Sequence, residues 1–374
     1  MKIALLGDIA LFGANSSLKN EHIEKRFQGL KEKLTHFDLI IGNLETPLTK
    51  NNKTCGGKSA YIKGLTSDVE ILKYLGIKYV SLANNHMFDY GKEGFEETCN
   101  VLNAAGINHF GVNGKDLKVI KNNEKICLNG YCCYSTNAVG LNNNKDSYGI
   151  NTFAPELIEK KLFQDKADGF FSILSVHWGQ EHTHLPNYDH LTVSRLLANK
   201  NDFILHGHHP HVLQGIERYN NSLIAYSLGN LCFDDVYTQK SKEPLIKLSK
   251  DNKQSVILSI DIENSQIMNF NTIPFTFEPG VYSFDNDSNK EILLNLKVWS
   301  KDLQTDKNTY KLNRANFLND YYKSRKIMRN FEWYIKRISI ESLINIINSR
   351  RNMKKYSYYV NNYILNRSDS HNNA

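Results

Sequence analysis

The chain has 374 residues, 41% of them hydrophobic, with 46 Lys and Arg against 39 Asp and Glu for a formal charge of +7. That is enough apolar content to bury one large core or two ordinary ones. Six scattered cysteines with no CxxC pair and no repeated spacing suggest neither a zinc ribbon nor a disulfide framework, and no apolar run approaches the roughly 20 residues of a membrane helix. The opening run Met1 to Asp8 is too short for a signal peptide and carries an acid, so the chain as written is expected to be cytoplasmic and soluble. The charge is uneven. From Tyr310 onward there are 13 Lys and Arg against 4 Asp and Glu, which leaves the preceding residues at about −2.

In chain order, residues 2–6 read as a buried strand ended by Gly7-Asp8. A helix follows from about Glu21 to Leu34, and residues 37–41 form a second strand that ends in Gly42-Asn43-Leu44-Glu45. Ser67-Asp68-Val69-Glu70 has the form of a capping box for a helix that stops at Gly76. Residues 78–82 give a third strand, ended by Ala83-Asn84-Asn85-His86 and followed by a helix from about Lys92 to Ala105 and a short strand over 108–111. Such alternation is the signature of a mostly parallel α/β layer.

Asn129-Gly130 between two β-type runs predicts a hairpin turn there. After a helix near Pro155 to Phe163, residues 169–176 are the most hydrophobic strand candidate, and they end in His177-Trp178-Gly179-Gln180-Glu181-His182-Thr183-His184. A helix over Tyr188 to Ala198 leads to a strand at 202–205, the turn His206-Gly207-His208-His209-Pro210-His211, and a further strand over Val212 to Ile216. Strands over 222–227, ending in Leu228-Gly229-Asn230, and over 255–262 complete the ordered part. A boundary falls near Pro279-Gly280. Beyond it the spacing is helical, with Ile327, Phe331, Tyr334, Ile335 and Ile338 on one face and Arg325, Lys326, Arg329, Lys336 and Arg337 largely elsewhere. The expected division is a site-bearing domain over 1–280 and a basic, Tyr-rich, mostly helical region over 281–374.

Five strand ends therefore carry metal-binding types: Asp8, Asn43 with Glu45, Asn85 with His86, His177, and the 206–211 turn. Loops after parallel strands gather at the carboxyl edge of the sheet, where ligands bind. Eight of the 13 histidines lie within residues 177–211, a clustering that favours a site. The donor set of imidazole, carboxylate and amide, without thiolate, suits Zn, Mn or Fe. His22, His36, His109 and His371 have no motif around them and read as surface residues. His182, His184 and His190 read equally as solvated, supporting or ligating.

These motifs, together with Asp89, Gly91, Gly207-His208-His209-Pro210-His211-Val212-Leu213-Gln214 and Tyr226-Ser227-Leu228-Gly229-Asn230, resemble the bacterial CapA family over roughly the first 235 residues. CapA proteins are associated with capsule and poly-γ-glutamate biosynthesis and are related in fold to calcineurin-like metallophosphoesterases. The resemblance implies a four-layer α/β/β/α sandwich, here with a C-terminal helical appendage, holding one or two divalent ions. It implies Asp8 on one metal, Glu45 or Asn43 near a bridging position, Asn85 on the other metal, and His86 as general acid with Asp89 orienting it. His177 and His208 would bind the second metal, and His211 or His209 would complete the first. Two positions depart from the wider superfamily: Ala10 stands where a histidine is usual, and Asn43 where an aspartate is usual.

Two functions follow from the resemblance. One is metal-dependent hydrolysis of a phosphoester or amide bond, and the other is a non-catalytic, polymer-handling subunit with a vestigial or structural metal. The expected partners are an anionic polymer or a phosphorylated or amide substrate, other capsule-biosynthesis proteins, and an anionic membrane surface met by the basic C-terminal region. No nucleic-acid-binding motif accompanies the charge.

Overall fold

The computed structural model describes residues 1–17, 23–56, 58, 60–142, 148–237, 243–278, 281–285, 287–327 and 340–368. His22, His371, Pro279-Gly280 and the side chains of the face expected over Ile327 to Ile338 lie outside the described residues. The strands are β1 (Lys2–Ile9), β2 (Leu39–Leu44), β3 (Tyr79–Ser81), β4 (Asn108–Phe110), β5 (Leu117–Lys121), β6 (Glu124–Cys132), β7 (Leu141–Asn142) and β8 (Ile150–Asn151). They continue with β9 (Phe171–His177), β10 (Phe203–His208), β11 (Ile216–Tyr219), β12 (Ser222–Ala225), β13 (Asn230–Cys232), β14 (Gln254–Glu263), β15 (Gln266–Glu278) and β16 (Val281–Ser283). The α-helices are α1 (Ile23–Leu34), α2 (Val69–Leu75), α3 (Gly91–Ala104), α4 (Pro155–Ala167), α5 (Tyr188–Ala198), α6 (Asp287–Asp302), α7 (Lys307–Ile327) and α8 (Ile340–Ser368).

One sheet runs β16-β15-β14-β1-β2-β3-β4, with β13 also paired to β1, and the other runs β11-β12-β10-β9-β6-β5. Three apolar clusters separate four layers. Ile3, Leu5, Ile41 and Leu258 of the first sheet meet Leu128, Ile173 and Ile204 of the second in a core between the sheets. On the outer face of the first sheet, Phe27, Leu30, Leu72, Phe95 and Leu102 of α1 to α3 pack down. On the outer face of the second, Ile158, Leu162, Leu191 and Leu197 of α4 and α5 do so, joined by Tyr310 of α7 and Tyr356, Val360 and Tyr363 of α8. The architecture is the expected four-layer sandwich. Helix α6 adds Ile292 and Leu296 to the core between the sheets.

Chemistry accounts for the central strands. β9 is buried at all seven positions because it lies between β6 and β10, covered on both faces. Helix α2 ends as expected at Gly76, whose left-handed φ of 73° lets its N–H close back on Leu72 and Lys73.

Three expectations are corrected. The hairpin turns at Asn122-Asn123, with φ of 50° and 64°, as a two-residue turn of the primed type requires. Asn129 and Gly130 instead lie inside β6, and Gly130 is there because a Cβ would come within 2.8 Å of Gly111 Cα and 2.9 Å of Ser81 Oγ. The start of α2 uses Asp68 rather than Ser67. Its Oδ2 accepts the Leu65 N–H at 2.7 Å, and Oδ1 accepts the Ser17 N–H at 2.6 Å, tying the helix to the loop after β1. Val212 to Gly215 form no strand of their own. Leu213 makes one isolated bridge to Leu228, and the extended run starts at Ile216.

Candidate metal centre

Strand register brings the predicted side chains together. Asp8 on β1 stands beside Asn43 of β2 on one side and Asn230 of β13 on the other. In the second sheet, His208 of β10 stands beside His177 of β9. Gly7 permits the first junction, since a Cβ there would sit 2.3 Å from the Gly229 carbonyl oxygen. The two parallel ladders thus end facing one another, one offering carboxylate and amide, the other imidazole.

Asp8 is fully buried and heavily engaged. It accepts from Asn43 Nδ2 at 2.9 Å and from the His209 N–H at 3.0 Å, and lies 2.9 Å from His208 Nδ1 and 3.5 Å from His211 Nδ1. Burial alone would raise its pKa, but His208, His211 and His177 outweigh that and hold the group well below the usual carboxylate range.

Glu45 is equally buried and has the opposite character, because neither carboxylate oxygen has a hydrogen-bond partner. Burial, then the neighbouring Asp8 and Glu181 charges, push its pKa well above the ordinary value. Three imidazole Nε2 atoms surround Oε1: His211 at 3.6 Å, His177 at 3.9 Å and His86 at 4.0 Å. These separations are too long for hydrogen bonds. Ligand atoms of Glu45, His177 and His209 lie within 4.8 Å of one another, as do those of Asp8, Glu45 and His211, and those of Glu181, His209 and His211. A buried carboxylate left unpaired among imidazoles is costly unless a cation completes it. Burial, followed by the nearby imidazoles, keeps His177 well below its normal pKa; burial does the same to His209, at about 4, so both are neutral and able to ligate. The residues present therefore fit a divalent cation.

The other predicted residues hold this cluster. The His177 Nε2 and Asn85 Oδ1 atoms are 2.9 Å apart, and the Asn43 amide nitrogen lies 3.4 Å from His177 Nδ1. The Asn43 carbonyl oxygen accepts from Asn84 at 3.2 Å, so it is directed to the loop after β3. His208 Nε2 lies 3.1 Å from Ser175 Oγ, while its buried Nδ1 faces Asp8 Oδ1 at 2.9 Å without a hydrogen bond. His206 Nε2 donates to the Leu6 carbonyl at 2.7 Å and ties the two sheets together. His86 Nδ1 is 2.6 Å from Asp89 Oδ2, while Asp89 Oδ1 is 2.6 Å from Lys58 Nζ and Oδ2 also accepts the Ile62 N–H at 3.0 Å. Strain collects here as well. His182, His209 and His211 hold left-handed φ angles of 60°, 95° and 57°, each costing about 1–3 kcal/mol.

Several residues were beyond sequence reasoning. Glu181 was visible in the motif after β9, but nothing in its spacing shows that the loop folds back on His209 and His211. Burial would raise its pKa, yet His209, His182, His211 and His86 together lower it to about 2. Lys58 lies in an unremarkable polar loop. Arg314 of α7 donates to the Leu185 carbonyl at 3.2 Å and to Gln180 Oε1 at 3.3 Å, and it also bonds Asn187, clamping the loop that carries Glu181. His184 stacks on Trp299 of α6 at 4.0 Å, and His190 stacks on Trp178 at 4.4 Å; both are packing residues.

Comparison with known proteins extends this geometry. The bacterial capsule synthesis protein PGA_cap family matches residues 2–235, the span that supplies every predicted ligand. The chain belongs to that family. Capsule biosynthesis protein CapA of Bacillus anthracis is 26% identical over 273 residues, covering 70% of this chain and 66% of that protein. PGA biosynthesis protein CapA of Bacillus subtilis (strain 168) is 29% identical over 219 residues, covering 56% of this chain and 57% of that protein. The chain thus matches less than two-thirds of the length of these PGA_cap relatives. Among solved structures, a hypothetical protein from Thermus thermophilus gives a TM-score of 0.45 at 13% identity, over 74% of this chain and 100% of that one. A putative 5'-nucleotidase from Staphylococcus aureus gives 0.44 at 10% identity, over 80% of this chain and 59% of that one. Likenesses that distant carry no argument about activity.

Proposed function

We propose that this PGA_cap-family chain acts in capsule or poly-γ-glutamate biosynthesis through a divalent-metal site that hydrolyses a phosphoester or an amide bond. The observation that supports it is Glu45, a fully buried carboxylate with both oxygens unpaired and three imidazole nitrogens within 4.0 Å. Asp8, Glu45, His177, His209 and His211 would hold the ion, with Glu181 at its open side and Asn43, Asn85 and His208 fixing those groups in place. A divalent cation supplies Lewis acidity and brings the pKa of a water toward neutrality. His86 would be the proton donor. With Nδ1–H donated to Asp89, Nε2, the atom facing Glu45, would give a proton to the leaving group from the imidazolium, the form that burial opposes and the Asp89 charge favours. Lys58 keeps Asp89 ionised and in register.

Asp89→Asn is expected to retain metal content while kcat falls about 100-fold or more, with KM little changed. Metal analysis of chelator-free protein, together with turnover of p-nitrophenyl phosphate and γ-glutamyl peptides, checks this. A second reading, a structural metal in a polymer-handling subunit, is favoured by Ala10, a buried residue with no donor two positions after Asp8. Full metal occupancy without turnover of either substrate class would select it.

A further inference from the structure

Helix α8 is docked along one face only. Tyr356, Val360 and Tyr363 are buried, Tyr356 Oη bonds Asp189, Tyr363 Oη donates to Glu159 at 2.5 Å, and Arg367 donates to the same carboxylate at 2.8 Å. The opposite stripe, Leu343, Ile347, Lys354, Tyr358 and Leu365, recurs at steps of four and seven residues, so one line of the helix points away from the fold. Its apolar members are exposed at 58% for Leu343, 52% for Ile347, 65% for Tyr358 and 58% for Leu365, with Ile344 and Ile346 beside them at 43% and 50%. Arg350, Arg351 and Lys354 are exposed in the same stretch, and no carboxylate occurs between Leu343 and Arg367.

We propose that this outward face of α8 binds an anionic lipid surface peripherally. A soluble helix with an exposed aliphatic row either is covered or costs solubility. Aliphatic side chains interleaved with cations, and no acids, match the boundary between acyl chains and anionic headgroups. The two other occupants fit less well. A soluble polyanion would use the cations and leave Leu343, Ile344 and Ile347 in water. A second copy of this chain would set the same three cations against themselves. The contact is peripheral, since among the described residues no helix is long and apolar enough to cross a membrane. It does not depend on the chemistry of the metal centre, because α8 contributes no residue to the clusters around Glu45.

The test is co-sedimentation of the full chain with phosphatidylcholine vesicles, with and without phosphatidylglycerol. Binding is expected only when phosphatidylglycerol is present. Arg351→Gln with Lys354→Gln should weaken partitioning about 25-fold, on about fivefold for each cation removed. Leu343→Ser with Ile347→Ser should weaken it at least about tenfold while leaving the melting curve in place. Equal binding to neutral vesicles overturns the proposal. So does binding unchanged by the serine pair, which would assign the face to a polyanion, and so does a concentration-dependent dimer that the serine pair abolishes.

Discussion

Glu45→Gln is expected to stabilise the metal-free protein while abolishing its response to metal. The wild-type side chain is completely buried with neither oxygen hydrogen-bonded, so in chelator it contributes only a desolvation cost. A neutral amide of the same shape removes the charge and with it most of that cost. A gain of about 1–3 kcal/mol follows. In saturating Mn²⁺ or Zn²⁺ the order reverses. At about 1,000 times its dissociation constant a ligand adds about 4 kcal/mol to the wild type, and the variant should gain almost nothing. Thermal unfolding in EDTA and in metal reads both effects from one sample. The same metal-induced shift in both proteins would remove Glu45 from the centre.

Asp8→Ala is expected to behave in the opposite way. Asp8 satisfies Asn43 Nδ2 and the His209 N–H and lies against the Nδ1 atoms of His208 and His211, itself fully buried. Deleting the carboxylate strands those donors, at about 3–5 kcal/mol of stability even in chelator. It also removes a ligand, so metal stoichiometry should fall. Urea unfolding in EDTA separates the two carboxylates by sign, one variant more stable than wild type and one less. An Asp8→Ala protein that unfolds at the wild-type urea concentration would show that the aspartate only ligates and does not hold the strand ends together.

The different roles of these two acids were not legible in the sequence, although their presence was. Gly7-Asp8 and Gly42-Asn43-Leu44-Glu45 stand out because a buried strand that ends in glycine and an acid is unusual, and alternation of strands and helices was enough to place both at one sheet edge. Which acid is paired depends on register across β1, β2 and β13, contacts made by residues far apart in the chain. The same limit explains Glu181 and Lys58, whose importance arises from loop paths rather than local pattern. The hairpin at Asn122-Asn123 was missed for a local reason. Asn129-Gly130 has the stronger turn composition, but Gly130 is required for close packing inside β6. The resemblance implies Glu45 or Asn43 near a bridging position; the Asn43 carbonyl oxygen accepts from Asn84, whereas both Glu45 oxygens are unpaired.

The order of strands in the first sheet has a consequence for synthesis. β1 is made well before β14, yet it lies between β2 and β14 and pairs antiparallel with residues 258–261, while the Met1 nitrogen donates to the carbonyl of Ile262 at 2.7 Å. A strand from early in this sequence therefore waits for a late one before it has both neighbours. Until β14 has been translated, an apolar strand and the Asp8 it carries remain without that neighbour. In that interval the β14-facing edge of β1 is open to pairing elsewhere.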